Sequence, residues 1–254
     1  MGKLSLVRLN PTLECYAAAS TDAADDARFL YQEIFERHEY LRHGVTLPRN
    51  AFVVDAGANI GLFSLFVKTE SPAATVLAVE PMADTREVLR RNIELHELTD
   101  CHVYGCALGA VAETATFHHF PGLPANSTRY PEEKQGLRDL MRDDRGADVA
   151  EVTMRSHREE VTVRPLSDVL DEWRHVPRID LVKIDVEGAE LEVLTGITET
   201  DWTRIEQFVV EVQQVGTRLD DVVELLRAKG YTATLDRPSM VPATLDLHLV
   251  YAHR

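Results

Sequence analysis

Cysteine is scarce in this chain, with three residues in 254, and Cys15, Cys101 and Cys106 include no C-x-x-C spacing. Three cysteines build no disulfide framework, so structural zinc and secretion are not expected. Basic residues are in the minority, 27 Lys plus Arg against 42 Asp plus Glu, for a formal net charge of −15. A surface this acidic repels phosphate backbones and anionic lipid, which sets aside polymeric nucleic acid and membranes as partners. No apolar run approaches the roughly 18 residues that cross a bilayer, and the N-terminus has no signal-peptide core, so a cytoplasmic protein is expected. The phosphate-binding fingerprints G-x-G-x-x-G and a glycine loop ending in Lys-Ser/Thr are missing. Repeats and low-complexity linkers are missing too. What remains is ordinary globular composition, 44% hydrophobic and 27% charged, long enough for one large α/β domain.

Strand-like and helix-like runs alternate along most of the chain, the pattern of a parallel sheet covered on both faces. Phe52-Val53-Val54 is a buried-strand run leading into Asp55-Ala56-Gly57-Ala58-Asn59-Ile60-Gly61, and a helix is expected from about 60 to 68. Strands follow at Thr75–Val79 and His102–Tyr104, separated by a helix near 84–97 opened by Asp84 and Glu87. After a polar stretch the alternation resumes with a strand at 179–184, a helix at 189–196 and a strand at 208–212. An amphipathic helix stopped by Gly230 and two antiparallel runs at 231–235 and 245–252 complete it. Residues 110–165 are expected to form a hairpin-like insertion with a mobile tip. Residues 22–42 read as one helix within an N-terminal extension (1–44) ahead of a main domain (45–254).

The turn after the first buried strand carries the chemistry. Gly57 and Gly61 let the backbone bend tightly and approach a ligand, but their G-x-x-x-G spacing is not that of a dinucleotide site, which opposes an NAD oxidoreductase. Asp55 within the turn repels a pyrophosphate and suits a ligand bearing an ammonium group. Glu80 ends the second strand, where a carboxylate accepts both hydroxyls of an unphosphorylated ribose. Together these features fit S-adenosylmethionine (SAM).

Val53 to Ser64, Val79-Glu80-Pro81, Ala107-Leu108-Gly109 and, above all, Ile179 to Glu190 with its K-I-D-V-E-G-A-E run resemble the class I SAM-dependent methyltransferases of the FkbM family. The resemblance covers about 45 to 252. It implies a Rossmann-like fold with a mostly parallel seven-stranded sheet. It also implies methyl transfer to a hydroxyl of a small-molecule or carrier-bound intermediate of secondary metabolism. Cofactor contacts are then expected from Asp55, Gly57, Ala58, Asn59, Gly61, Phe63, Ser64, Glu80, Pro81, Ala107, Leu108 and Asp185. Ile34 to Leu41 resembles, more weakly, the leader of family members attached to polyketide and peptide pathways. N-methylation and a non-catalytic SAM-binding module are the alternatives, and the oligomeric state, homodimer included, stays open.

In such enzymes the acceptor approaches beyond the fourth and fifth strands, here Lys183-Ile184-Asp185 and Glu211-Val212-Gln213. Asp185 and Glu211 would project into one cleft, either as a general base or, with Gln213, as ligands for Mg²⁺. Lys183 also reads as a buried lysine paired to a carboxylate, and Glu187 and Glu190 as acids at a helix start. Among the histidines, His248 is the candidate base and His119 the next; His118 and His157 also border the insertion. Asn126-Ser127-Thr128-Arg129-Tyr130 resembles a small polar segment of the family at this point, which implies contact with the acceptor.

Overall fold

Two short, fully buried strands explain where the sheet forms. In the computed structural model, which describes residues 3–254, every residue of β3 (Phe52–Ala56) is buried, and so is every residue of the later strand Leu181–Ile184 (β9). Side chains alternate across a strand. Val54, Ala56, Val182 and Ile184 therefore join a core on one face of the sheet, while Val53 and Leu181 join a second core on the other. Asp55 and Lys183 also point to this second face and lie opposite each other in register.

The chain opens with a hairpin of β1 (Leu4–Arg8) and β2 (Glu14–Ala18), followed by α1 (Thr21–Tyr31), which Ser20 caps through its side chain. Next come β3, α2 (Leu62–Glu70), β4 (Thr75–Val79), α3 (Ala83–Leu95) and β5 (Cys101–Tyr104). Strands β6 (Ala107–Leu108), β7 (Glu113–His119) and β8 (His157–Arg164) form a separate three-stranded sheet, with α4 (Gln135–Arg145) and α5 (Ala147–Thr153) between β7 and β8. Then follow α6 (Leu166–Leu170), β9, α7 (Glu190–Thr195), α8 (Glu199–Trp202), β10 (Gln207–Gln213), α9 (Arg218–Ala228), β11 (Thr232–Asp236) and β12 (Leu247–His253). The main sheet has seven strands in the order β11-β12-β10-β9-β3-β4-β5, and β12 alone runs against its neighbours. Strand order reverses between β3 and β9, the point at which open α/β sheets bind ligands.

Three expectations are corrected. The helix foreseen over 22–42 ends at Tyr31, passes through a wider π turn at Gln32–Glu36 and becomes loop, with His38 and His43 at positive φ. This break places Tyr40 beneath the sheet's end. The insertion is hairpin-like in that β7 and β8 pair antiparallel, but in place of a simple tip they are joined through the helix pair α4–α5, whose Met141, Ala150 and Met154 pack on Phe120. The N-terminal hairpin was not foreseen, and Val7, Cys15 and Ala17 bury it in the same core as Phe66 and Tyr251.

Candidate active site

The β3 turn closes on itself because position 57 must be glycine. At φ 78°, a Cβ on Gly57 would lie 1.8 Å from the carbonyl oxygen of Asp185, so only glycine lets the ends of β3 and β9 meet this closely. A pocket of about 840 Å³, open solvent at its mouth included, lies above this junction. Gly57, Ala58, Asn59, Phe63, Glu80 and Pro81 line it on one side, and Ala107, Leu108 and Asp185 on the other.

Two polar groups there are arranged for a ligand. Glu80 accepts backbone N–H bonds from Asn59 (3.0 Å) and Met82 (2.8 Å), which fix both carboxylate oxygens and leave each a free lone pair for a diol. Burial raises its pKa to about 7. Asn59, at φ 47°, has both amide atoms buried without a hydrogen-bond partner. An orphaned amide at a pocket wall fits a polar ligand that completes its bonds.

Asp55 departs from its expected role. Its side chain faces α2, fully buried, where the Ser64 hydroxyl donates to it (2.7 Å) and Lys183 Nζ lies 3.5 Å away. The alternation along β3 aims it under the turn, so neither Asp55, Ser64 nor Gly61 lines the pocket. Lys183 is the hub of this layer: Nζ donates to the Gly57 carbonyl (2.9 Å), pairs with Asp185 (3.1 Å) and lies over the rings of Tyr40 and Phe63. The flanking carboxylates raise its pKa despite burial. Glu190 is buried and caps the backbone N–H of Gly188 (2.7 Å), a structural role.

A second, wider cleft of about 1830 Å³, open to solvent, joins the pocket at Leu30, Tyr40, Ala125, Asp185 and Glu187, which line both. Glu33, Glu211 and Gln213 line only this cleft, together with residues of α1, α4 and the 240–247 loop. Tyr40 donates a hydrogen bond to Glu211 (3.2 Å). Burial and the charges of Asp185 and Glu33 push the pKa of Glu211 well above the usual carboxylate range. The insertion is tied to this rim: Lys134 pairs with Glu187, the Thr128 hydroxyl donates to the Glu187 carbonyl (2.6 Å) and Arg218 binds Glu133. Ser127 reaches the first pocket and Asn126 the second.

The proposed base His248 points elsewhere. It pairs across β10–β12 with Val212, whose side chain belongs to the core on the opposite face from Glu211, and its imidazole bonds Asp246 (3.1 Å). The Mg²⁺ expectation also finds no support. Asp185 is already paired to the Lys183 ammonium, Glu211 to the Tyr40 hydroxyl, and the Gln213 amide donates to the Leu245 carbonyl (3.3 Å). Among the described residues, the one group of three His, Cys, Asp or Glu side chains with converging ligand atoms lies elsewhere, at His119, His157 and Glu159. Tyr40, Glu33 and the 240–247 loop were not singled out from the sequence. Only the leader-like stretch Ile34 to Leu41 hinted at Tyr40.

A Rossmann-like sheet with a ligand pocket at its switch point, joined to a second cleft, defines a class I methyltransferase architecture. The chain belongs to the methyltransferase FkbM domain family, whose profile matches residues 55–233. It is 41% identical over 226 residues to methyltransferase sdnD of Sordaria araneosa, covering 85% of this chain and 86% of that one. It is 38% identical over 240 residues to the 31-O-demethyl-FK506 methyltransferase FkbM of Streptomyces tacrolimicus, 91% of each chain. The crystal structure of methyltransferase FkbM from Methylobacillus flagellatus superposes with a TM-score of 0.57 at 19% identity. That match covers 87% of this chain and 47% of the other, and it shows the shared fold. The chain is thus a methyltransferase. Among the described residues no helix is long and apolar enough to cross a membrane.

Proposed function

We propose that the chain transfers a methyl group from SAM to a hydroxyl of a small-molecule or carrier-bound natural-product intermediate in the cytoplasm, with Glu211 as the general base. The observation that carries this reading is the position of Glu211 on the second cleft, beside the Tyr40–Asp185 wall shared with the first pocket. Bound SAM supplies an electrophilic methyl carbon on sulfonium. Glu80 and Asn59 would hold its nucleoside portion, and the Gly57 turn would allow close backbone approach. Glu211 takes the acceptor's hydroxyl proton as the O–CH₃ bond forms and the C–S bond breaks, releasing S-adenosylhomocysteine. Burial and the neighbouring carboxylates, which raise its pKa, make it a stronger proton acceptor than an ordinary carboxylate. Lys183 pairs with Asp185 and lies beside Asp55 beneath the pocket, a positioning role. The name of the Streptomyces relative, which states an O-methyl position, supports oxygen as the acceptor atom.

An amine acceptor is the second reading, favoured by the acidic lining of the cleft, with Asp22, Asp25, Asp26, Glu33 and Asp144 against Lys134 and Arg145. Mass spectrometry of a deletion strain tests both. The accumulating intermediate should be one CH₂ lighter than the wild-type product, and NMR of that product locates the methyl on oxygen or nitrogen. An unchanged metabolite profile contradicts the proposal.

A further inference from the structure

The inner face of the β7–β8 hairpin changes character along its length. Ala115, Phe117, Val161 and Val163 form an apolar cluster with Met82 at one end. Two residues further along each strand, that same face presents His119, His157 and Glu159. His119 and His157 are direct cross-strand partners, and Glu159 is paired with Phe117, so alternation puts all three side chains on one side. The imidazole centroids lie 5.0 Å apart, and His157 Nε2 is 2.9 Å from Glu159 Oε1. One nitrogen from each histidine and one carboxylate oxygen fall within 4.8 Å of one another.

We infer that His119, His157 and Glu159 form a site for a divalent transition metal of the Zn²⁺ class, separate from the methyl-transfer cleft. The donor set, two imidazoles and one carboxylate, is one such ions favour, and three protein ligands leave a fourth position for water. Ligand atoms at about 2.1 Å in a tetrahedron stand about 3.4 Å apart, so three atoms already within 4.8 Å of one another are close to the spacing that an ion requires. The supporting shell is present as well. His119 is buried, and its Nδ1 bonds the Ser127 hydroxyl (3.1 Å), which also accepts the Phe120 N–H (3.3 Å). This contact fixes the ring and leaves Nε2 for the metal, the usual arrangement of a metal-bound histidine. Because Ser127 lines the first pocket, a bound ion clamps the outer end of the hairpin beside it.

The site escaped the sequence because His119 lies far along the chain from His157 and Glu159 and meets them only through the antiparallel register. The test uses the untagged full chain, stripped with EDTA and desalted, titrated with Zn²⁺ by calorimetry and with Co²⁺ by visible absorption. One equivalent should bind, and Co²⁺ should give the intense d–d bands of a four-coordinate ion. His157→Ala and Glu159→Gln replace side chains that reach solvent, and each should weaken binding at least about 10-fold. Absence of a one-equivalent site, or wild-type affinity in both variants, would overturn the assignment.

Discussion

The pocket at the β3 turn is made largely of backbone and of side chains at the ends of adjacent strands. The cleft beside it is walled by α1, α4 and the 240–247 loop, which lie far apart in sequence. The first is rigid by construction, since Gly57 is wedged against Asp185 and Glu80 is pinned by two backbone N–H groups. The second is held mainly through side chains, such as the Lys134–Glu187 pair and the bonds that Thr153 and Arg145 donate to Asp22. The contrast matches the proposed division of labour: a donor site fixed by the sheet, and an acceptor site assembled from appended elements.

The largest expected effect falls where the two cavities meet. A deletion strain complemented with Glu211→Gln should make about 10²- to 10⁴-fold less methylated product than one carrying the wild-type gene, the usual contribution of a general base. Full complementation would assign the proton transfer to another group.

Next in size is Lys183→Met, which leaves Asp55 and Asp185 beneath the pocket without their counter-ion. Removing one partner of a buried ion pair costs about 3–5 kcal/mol. A drop in unfolding free energy of that size in urea is expected. A change under about 1 kcal/mol would mean that Asp55 is held neutral and the layer is not ionic.

A smaller effect concerns pH. Burial raises the carboxyl pKa values of Glu33 to about 8 and of Glu80 and Glu190 to about 7, from an ordinary 4.5. The folded chain thus binds more protons than the unfolded chain between about pH 4.5 and 8, and stability falls as pH rises through that window. Buried His119, its pKa lowered by desolvation, acts in the opposite sense but is a single group. The ligand-free protein should melt about 3 °C or more lower at pH 8 than at pH 6. An equal or higher Tm at pH 8 would contradict ionisable burial at the rim.

The same contrast explains what was legible in the sequence. The donor half was readable because each requirement is local: a buried strand, a glycine that must turn, a carboxylate ending the next strand. Even so, the expected cofactor contact of Asp55 does not follow from its place in the motif, since alternation along β3 sends its side chain under the turn to Ser64. The acceptor half depends on long-range register. His248 lies level with the cleft along β12, but its pairing with Val212 turns it to the far face, and no local pattern encodes that pairing. Helix α4 did leave a signal, Leu137, Leu140 and Met141 at helical spacing, hidden among Asp and Arg residues.

The most direct test of the two-part site is calorimetric titration of S-adenosylhomocysteine into wild type, Glu80→Ala and Glu211→Gln. Loss of two charge-assisted hydrogen bonds should weaken binding to Glu80→Ala by about 100-fold or more, while Glu211→Gln stays within about 3-fold of wild type. Equal weakening in both variants, or undiminished binding to Glu80→Ala, would contradict the separation of donor and acceptor sites.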